Sequence, residues 1–261
     1  AWIAQWAAVG GTHLIAFGVA LTNGLLAQAA GSAWRGRAAY WCAAALLAAV
    51  AHGGGRLLLG EAEYLLPAHR VGVFQSDFSQ DMKWDPEYTV EMVDNAARKT
   101  AWLAANANVD LVVWPEALVM ADPKEVSAIG SIIESAARDN GVAIFAGSVR
   151  DHPDRAEGYN SVYLVSKEGE FVSHYDKVHL APMGEYVPFA DVFPFLRSVV
   201  PSIGDVPPGE VLRVIDSPVG KLGPLICFEV LFAPDARALR AAGAERLVVI
   251  TNLGWFGASA V

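Results

Sequence analysis

The sequence has few cysteines and, in its first part, no acidic residues. Cysteine occurs only as Cys42 and Cys227 in 261 residues. Neither belongs to a CxxC pair or accompanies a paired-histidine spacing, which excludes a disulfide framework and a zinc site of the usual kind. Cys42 lies in an apolar run and Cys227 in the polar part of the chain, so we expect no disulfide between them.

Residues 1–60 contain no Asp or Glu, and their only Lys or Arg side chains are Arg35, Arg37 and Arg56. The rest of the chain carries all 28 acidic residues against 16 basic ones. This acidic composition excludes the basic surface with which proteins bind nucleic acids. The apolar fraction of the whole chain is 54%, high for a globular protein, and the excess lies in the first sixty residues.

Two uncharged apolar runs predict membrane spans. The first, residues 5–30, is long enough to cross a hydrocarbon core of about 30 Å as a helix, and it lacks the basic leader of a cleaved signal peptide. The second, residues 38–55, is a weaker span because three consecutive glycines interrupt it near one end. We therefore expect a transmembrane helical hairpin over residues 1–60. The alternative is a buried helical hairpin in a soluble protein.

The charges between the two runs predict how the hairpin is oriented. Arg35 and Arg37 lie in the short connection, which the positive-inside rule places in the cytoplasm. Both flanks, and with them residues 61–261, are then expected on the outer side of the membrane.

Residues 61–261 alternate between apolar strands and helical segments, which indicates an α/β sandwich. Proline begins each of the three predicted helices and Gly141 ends one. Pro and aromatic residues between residues 179 and 195 predict a long ordered loop. The predicted strands are 70–75, 110–116, 142–149, 159–166, 170–176, 211–217, 220–227 and 245–252, and the helices begin at Pro86, Pro123 and Pro234.

Cys227 ends the apolar strand GKLGPLIC and is followed by Phe228 and Glu229. A thiol at a strand end can act as a nucleophile where a neighbouring group removes its proton. Because free cysteine is also among the most buried residue types, an inert core cysteine is the alternative.

Two further polar residues stand at strand ends. Glu116 follows an apolar strand and Pro115, so burial would favour its uptake of a proton and suit it to act as a base. Lys177 could stabilise a thiolate and an oxyanion. The alternatives are a solvated or helix-capping Glu116, a solvated Lys177, and a competing Cys and His arrangement that uses His174 or His179.

Four motifs occur in order along the chain: WPE at 114–116, YDKVHLAPMGEYVP at 175–188, GPLICFEV at 223–230 and TNLGWFG at 251–257. In these motifs the chain resembles the nitrilase superfamily of carbon-nitrogen hydrolases, and the preceding hairpin makes it most similar to the membrane-bound N-acyltransferases of that superfamily. The resemblance implies two transmembrane helices followed by a nitrilase-like αββα sandwich over residues 61–261. Because relatives have further helices, the chain resembles a fragment with a C-terminally incomplete sandwich.

The resemblance also implies the roles of individual side chains. Glu116 is expected to be the general base, Lys177 the cationic stabiliser and Cys227 the nucleophile. Supporting or substrate-binding roles are implied for Glu185, Glu229, Trp84 and Phe228.

Two positions depart from the family's pattern. Phe228 stands where the family commonly has Tyr, so it keeps the ring without the hydroxyl group. Leu253 stands where Asp or another polar residue is frequent. Both departures put substrate positioning in doubt more than the chemistry.

The activity implied is transfer of an acyl chain from a phospholipid, through a thioester on Cys227, to the α-amine of the diacylglyceryl-bearing N-terminal cysteine of an apolipoprotein. The implied partners are the phospholipid donor, the apolipoprotein acceptor and the membrane, with no cofactor, no metal and no nucleic acid. One alternative is an amidase or nitrilase that hydrolyses a small substrate with the same residues. Another is a membrane-tethered binding domain without activity.

Overall fold

Two long apolar helices form the first part of the chain. The structure is a computed structural model that describes residues 2–60, 69–76, 78, 80–83, 86–199, 205–252 and 254. It divides into two compact units, Ala1–Pro67 and Ala68–Val261. This division lies close to the predicted domain boundary after residue 60.

The first unit consists of a 3₁₀ helix, Trp2–Trp6, followed by α1, Ala7–Gly31, and α2, Trp34–Gly60. Both apolar stretches are long enough to cross a membrane, each with a mean hydropathy of 1.5. The prediction of two apolar helices is confirmed.

We expected three consecutive glycines to interrupt the second helix. They do not, and α2 continues through them to Gly60. Two of them are packing positions. A Cβ atom at Gly54 would lie 2.4 Å from the Trp6 ring, and one at Gly55 would lie 2.0 Å from the Trp2 carbonyl oxygen. The Trp6 indole N–H also donates to the Ala51 carbonyl at 2.9 Å. The glycines therefore let the 3₁₀ helix pack closely against α2.

The second unit contains two sheets. The larger has five strands in the order β1-β2-β3-β4-β5: Val71–Val73, Leu111–Val113, Ala143–Arg150, Tyr159–Val165 and Phe171–Asp176. Its first three strands are parallel, and β4 and β5 continue antiparallel. The smaller sheet has the order β6-β7-β8: Ile215–Ser217, Gly220–Ile226 and Arg246–Ile250.

Five α-helices are described in this unit, and three of them pack on the sheets. They are α3, Gln80–Lys83; α4, Pro86–Ala107; α5, Ser127–Asn140; α6, Leu196–Val199; and α7, Ala233–Ala241. The apolar faces of α4 and α5 pack on the larger sheet, through residues such as Val93, Ile133 and Trp114. Leu239 of α7 packs on the smaller sheet against Leu225.

The inner faces of the two sheets form one core, which includes Leu111, Phe145, Val162, Leu222 and Ile226. The alternation along β7 explains this arrangement, since Leu222 and Ile226 face the other sheet and Leu225 faces α7. The predicted α/β sandwich with layers in the order αββα is therefore confirmed.

Several boundaries differ from the predictions, and the strands expected over 70–75 and 211–217 are shortened to Val71–Val73 and Ile215–Ser217. The helix expected from Pro123 begins at Ser127, because residues 123–126 form a turn in which the Glu125 and Val126 N–H groups donate to the Asp122 carbonyl. The strand expected to reach residue 116 ends at Val113; Trp114 and Pro115 have no regular structure, and the chain turns at Glu116 and Ala117. The predicted end at Gly141 is confirmed, with that residue in the left-handed conformation at φ 61°.

Gly147 of β3 allows the segment after β2 to approach closely. A Cβ atom there would lie 2.2 Å from the Pro115 carbonyl oxygen and 2.8 Å from the Glu116 Cα atom. The Gly147 carbonyl also accepts a hydrogen bond from the Val119 N–H at 3.1 Å. The position of Glu116 therefore depends on the absence of a side chain at residue 147.

We expect Gly147→Ala to destabilise the protein by about 3 kcal/mol, because the atoms it would meet belong to the backbone and cannot rotate away. Thermal unfolding in detergent solution should show a melting temperature lower by roughly 5–10 °C. Gly184→Ala is the matched control, since its Cβ atom would meet nothing closer than 3.8 Å. Equal melting temperatures for the two variants would contradict a steric requirement for glycine at residue 147.

Candidate active site

Three strand ends bring the predicted reactive side chains together. Glu116 follows β2, Lys177 directly follows β5, and Cys227 directly follows β7. All three line one cavity of about 520 Å³, a volume in the range of small-molecule sites, roughly 300–1,000 Å³. The cavity also includes Glu185 and Phe228 in its wall.

Lys177 is a buried cation held between two carboxylates. Its side chain is 1% exposed, and Nζ lies 2.8 Å from Glu185 Oε2 and 3.5 Å from Glu116 Oε1. Burial opposes its charged form, but the charges of Glu116 and Glu185 and the hydrogen bond to Glu185 outweigh burial and raise the pKa of Lys177. Lys177 is therefore a fixed positive charge at the cavity wall, and the solvated alternative is wrong.

The Glu116 carboxylate is oriented by hydrogen bonds to both of its oxygen atoms. Oε1 accepts from Asn160 Nδ2 at 2.9 Å, and Oε2 accepts from the Asn252 backbone N–H at 2.8 Å. Glu116 is 6% exposed, so the alternative of a solvated side chain is wrong here too. Each oxygen is therefore held in place by a partner from a different strand end.

Asn160 connects the two carboxylates, and sequence reasoning did not identify it. Its Nδ2 group donates to Glu116 Oε1 at 2.9 Å and to Glu185 Oε1 at 2.7 Å. Glu185 Oε2 also accepts a hydrogen bond from the Ala181 N–H at 2.7 Å. This bond holds the start of the loop that follows Lys177. Asn160 lies near the start of β4. A single polar residue in a strand forms no recognisable sequence pattern, so the sequence did not single it out.

Cys227 adopts an unusual backbone conformation, with φ 52°, at the start of the 3₁₀ helix Cys227–Leu231. Positive φ is rare for residues other than glycine and is found where the surrounding structure enforces it. This conformation directs the residue out of the β7 direction, and Cys227 is only partly buried. Cys227 packs against the core between the sheets and also lines the cavity, so it is not enclosed by the core.

The thiol is protonated in the resting site. Burial and the negative charge of Glu116 raise the pKa of Cys227, while a hydrogen bond with Thr251 and the charge of Lys177 oppose the rise. A base is therefore needed to generate a thiolate, and the Glu116 carboxylate, which lines the same cavity and acts on the pKa of the thiol, is the candidate.

Glu229 is fully buried, and its carboxylate accepts four hydrogen bonds. Oε1 accepts from the Tyr175 hydroxyl at 2.7 Å and from the Val178 and His179 N–H groups at 2.8 and 3.1 Å. Oε2 accepts from the Ile226 N–H at 2.7 Å. These bonds join the residues on either side of Lys177 to the strand that precedes Cys227. Glu229 therefore fixes the separation of the amine and the thiol.

Two predicted residues cannot be placed, because Trp84 and Leu253 lie outside the described residues. Phe228 lines the cavity and contacts Phe232 edge to face at a centroid distance of 5.3 Å. His174 lies 3.8 Å from Asp176 and His179 lies 2.9 Å from Asp235, and neither histidine lines the cavity. The competing Cys and His arrangement is therefore not formed. Among the described residues, no three His, Cys, Asp or Glu side chains are grouped as metal ligands.

Solved structures with a similar fold include an amidase of the nitrilase superfamily from Nesterenkonia. One mutant of this amidase superposes with a TM-score of 0.51 at 23% identity, over 72% of this chain and 67% of that one. Another structure of it, with the acetamide moiety of fluoroacetamide added to its active-site cysteine, gives a TM-score of 0.50 at 23% identity, over 72% of this chain and 68% of that one. At this identity the likeness shows the fold alone, a nitrilase-type sandwich.

Curated relatives of higher identity are apolipoprotein N-acyltransferases. The protein from Geobacter metallireducens is 36% identical over 82% of this chain and 41% of its own length. The protein from Gloeobacter violaceus is 32% identical over 98% of this chain and 48% of its own length. The chain thus spans less than half the length of these relatives, and its predicted resemblance to them is confirmed.

The family signature covers the whole second unit apart from its first residues. The carbon-nitrogen hydrolase family matches residues 70–261, which include all four motifs and every described side chain at the cavity. By this match and by its sandwich fold, the chain belongs to the carbon-nitrogen hydrolase family.

Proposed function

We propose that this chain carries the catalytic unit of an apolipoprotein N-acyltransferase. It would transfer an acyl chain from a phospholipid to the α-amine of a diacylglyceryl-bearing N-terminal cysteine. The observation that carries the proposal is that Cys227, Glu116 and the Lys177 ammonium line one cavity with mainly apolar walls, with Lys177 Nζ 3.5 Å from Glu116 Oε1. The names of the curated relatives support this substrate class.

In the first half of the reaction, Glu116 accepts the proton of the Cys227 thiol. The thiolate attacks the ester carbonyl carbon of the phospholipid, and the resulting oxyanion is stabilised by the Lys177 ammonium and by backbone N–H groups. The intermediate collapses with cleavage of the C–O bond. Glu116 returns its proton to the departing alkoxide, which leaves as a lysophospholipid, and the acyl chain remains as a thioester.

In the second half, the neutral α-amine of the apolipoprotein attacks the thioester carbonyl. Glu116 accepts a proton from the attacking nitrogen, and Lys177 again stabilises the oxyanion. Collapse breaks the C–S bond, gives the amide and leaves a thiolate, which takes the proton back from Glu116. One carboxylate thus serves both halves, in line with its two fixed oxygens and its effect on the pKa of the thiol.

The thioester has to be protected from water between the two halves. The loop over residues 181–195 is suited to this task, since Ala181, Gly184 and Glu185 line the cavity. Further along, the loop exposes the large apolar side chains of Phe189, Val192 and Phe193. An exposed apolar group of this kind fits contact with lipid better than contact with water. We assign this loop as a lid that faces the bilayer.

The proposed location rests on the two apolar helices and on both proposed substrates being held in the bilayer by acyl chains. We propose a bacterial inner membrane protein with the catalytic unit on the periplasmic side. Arg35 and Arg37 would mark the cytoplasmic end of the hairpin.

Incubation of the purified protein with phospholipid should add the mass of one acyl chain to the peptide that contains Cys227. The adduct should be released by hydroxylamine, which cleaves thioesters, and it should be absent from Cys227→Ala. Cys42→Ser is the matched control and should retain the adduct. An adduct in Cys227→Ala would contradict the proposal and indicate another nucleophile. Release of ammonia from small amides without any phospholipid adduct would contradict it too and indicate an amidase.

We expect Glu116→Gln to slow formation of the adduct by about 10²–10⁴-fold, the usual contribution of a general base. The amide keeps the size of the side chain but cannot accept the thiol proton. The rate would be followed by mass spectrometry after rapid quenching. Exposed Glu125 offers the control Glu125→Gln, which should acylate at the normal rate. Unchanged acylation in Glu116→Gln would remove Glu116 from the role of base.

Glu229→Gln should impair both stability and acylation. The amide NH₂ group would face backbone N–H donors, because both Glu229 oxygens act only as acceptors. We expect a loss of about 2–4 kcal/mol in stability and a fall in acylation rate that persists well below the melting temperature. Thermal unfolding and acylation would be measured side by side. A normal rate in the folded variant would show that Glu229 does not position Lys177 and Cys227.

A further inference from the structure

Lys83 is a buried cation that the mechanism above leaves without a task. It ends the short helix α3 and is only 5% exposed. Its Nζ atom donates to the side-chain oxygen Oδ1 of Asn252 at 3.0 Å. A lysine is rarely buried unless a specific interaction compensates for its lost hydration. A neighbouring group must therefore stabilise the Lys83 ammonium.

Asn252 connects Lys83 to the base. Its backbone N–H donates to Glu116 Oε2 at 2.8 Å, while its side-chain oxygen accepts from Lys83. The Gly254 N–H also donates to that side-chain oxygen at 3.1 Å. Lys83, Asn252 and Glu116 thus form a continuous hydrogen-bonded series. The two oxygens of Glu116 have different cations behind them, Lys177 directly at Oε1 and Lys83 through Asn252 at Oε2.

The balance of charge gives Lys83 a function. Lys177 is shared between two carboxylates and lies closer to Glu185, at 2.8 Å, than to Glu116, at 3.5 Å. One ammonium cannot neutralise two carboxylates in a dry site, so a second cation is needed if both are to stay ionised. Glu229 needs no cation, because four N–H and O–H donors already bind its carboxylate.

The titration of Lys83 agrees with this geometry. Burial lowers the pKa of Lys83, and the negative charge of Glu116 opposes that change. The ammonium and the carboxylate therefore stabilise each other, and removal of either charge should affect the other.

We propose that Lys83 is a positioning residue that keeps Glu116 ionised and its Oε2 directed at Asn252. The inference rests on the proposed role of Glu116 as the base. A purely structural lysine would instead hold only Asn252 in place through its hydrogen bond. The two roles can be separated, because glutamine keeps a donor for Asn252 but carries no charge.

The test measures how the alkylation rate of Cys227 by iodoacetamide depends on pH. A Cys42→Ser background leaves Cys227 as the single cysteine of the whole chain. The rate falls on the acidic side when Glu116 takes up a proton and can no longer accept that of the thiol. Among the described residues, Lys177, Cys227 and Lys83 are titratable groups that interact with Glu116, with Glu185 beyond Lys177, and only Lys83 is altered.

In Lys83→Gln and Lys83→Met, we expect the acidic limb of the profile to move to higher pH by about one unit, since a lost cation makes protonation of a nearby carboxylate easier. At any one pH below this limb, Cys227 of either variant should be alkylated about tenfold more slowly than Cys227 of the protein that retains Lys83. Lys99→Gln, at an exposed position of α4, should leave the profile unchanged. If the acidic limb of Lys83→Gln stays at the wild-type pH, the proposed role of the Lys83 charge is wrong. This holds whether or not the limb of Lys83→Met shifts.

Lys83→Arg covers the case in which the uncharged variants do not fold. It retains the positive charge, so its acidic limb should stay at the wild-type pH, and a shift would overturn the proposal. Alkylation requires neither phospholipid nor apolipoprotein. A protein whose Cys227 alkylates with this pH dependence but forms no acyl adduct would therefore refute the proposed acyl transfer and leave the role of Lys83 standing.

Discussion

The arrangement of the second unit depends on the burial of one ammonium group. Lys177 lies in a dry environment, where an unpaired charge would cost several kcal/mol. That cost is avoided because Glu116 and Glu185 are both within reach. Either carboxylate would be unfavourable without the amine. The three groups therefore require one another, and the loop that carries Glu185 is held to the strand ends by charge as well as by packing.

The same requirement explains why the site lies between two sheets. Glu116 and Lys177 follow strands of the five-stranded sheet, whereas Cys227 and Asn252 follow strands of the three-stranded sheet. The sandwich core fixes the sheets face to face, and Glu229 adds hydrogen bonds across the same boundary. The thiol is thus placed near a base that belongs to the other layer. Neither sheet alone contains a complete site.

Sequence patterns predicted the parts of this site that occur at recognisable positions. Glu116, Lys177 and Cys227 were singled out as polar or reactive residues at predicted strand ends, and it was the family resemblance that implied a shared site. The layer order of the fold was implied by the family resemblance of the four motifs. The catalytic roles of these residues, and the role of Trp84, remain predictions.

Other residues could not have been found in this way. Asn160, Asn252 and Lys83 are single polar residues whose partners lie 25 to 169 positions away in the sequence. Contacts at such separations depend on the packing of the sheets, which local patterns do not encode. The start of α5 was misplaced for a similar reason, since Pro123 suits both a turn and the first turn of a helix.

The hydrogen bond from the Asn252 N–H to Glu116 has a consequence for biosynthesis. These residues are 136 positions apart, and β8, which precedes Asn252, is the last strand of the described chain. While the ribosome is still making that strand, the carboxylate lacks one of its two fixed partners. The Glu116 side chain can therefore take up its final orientation only after the last described strand has been made and has joined the sandwich.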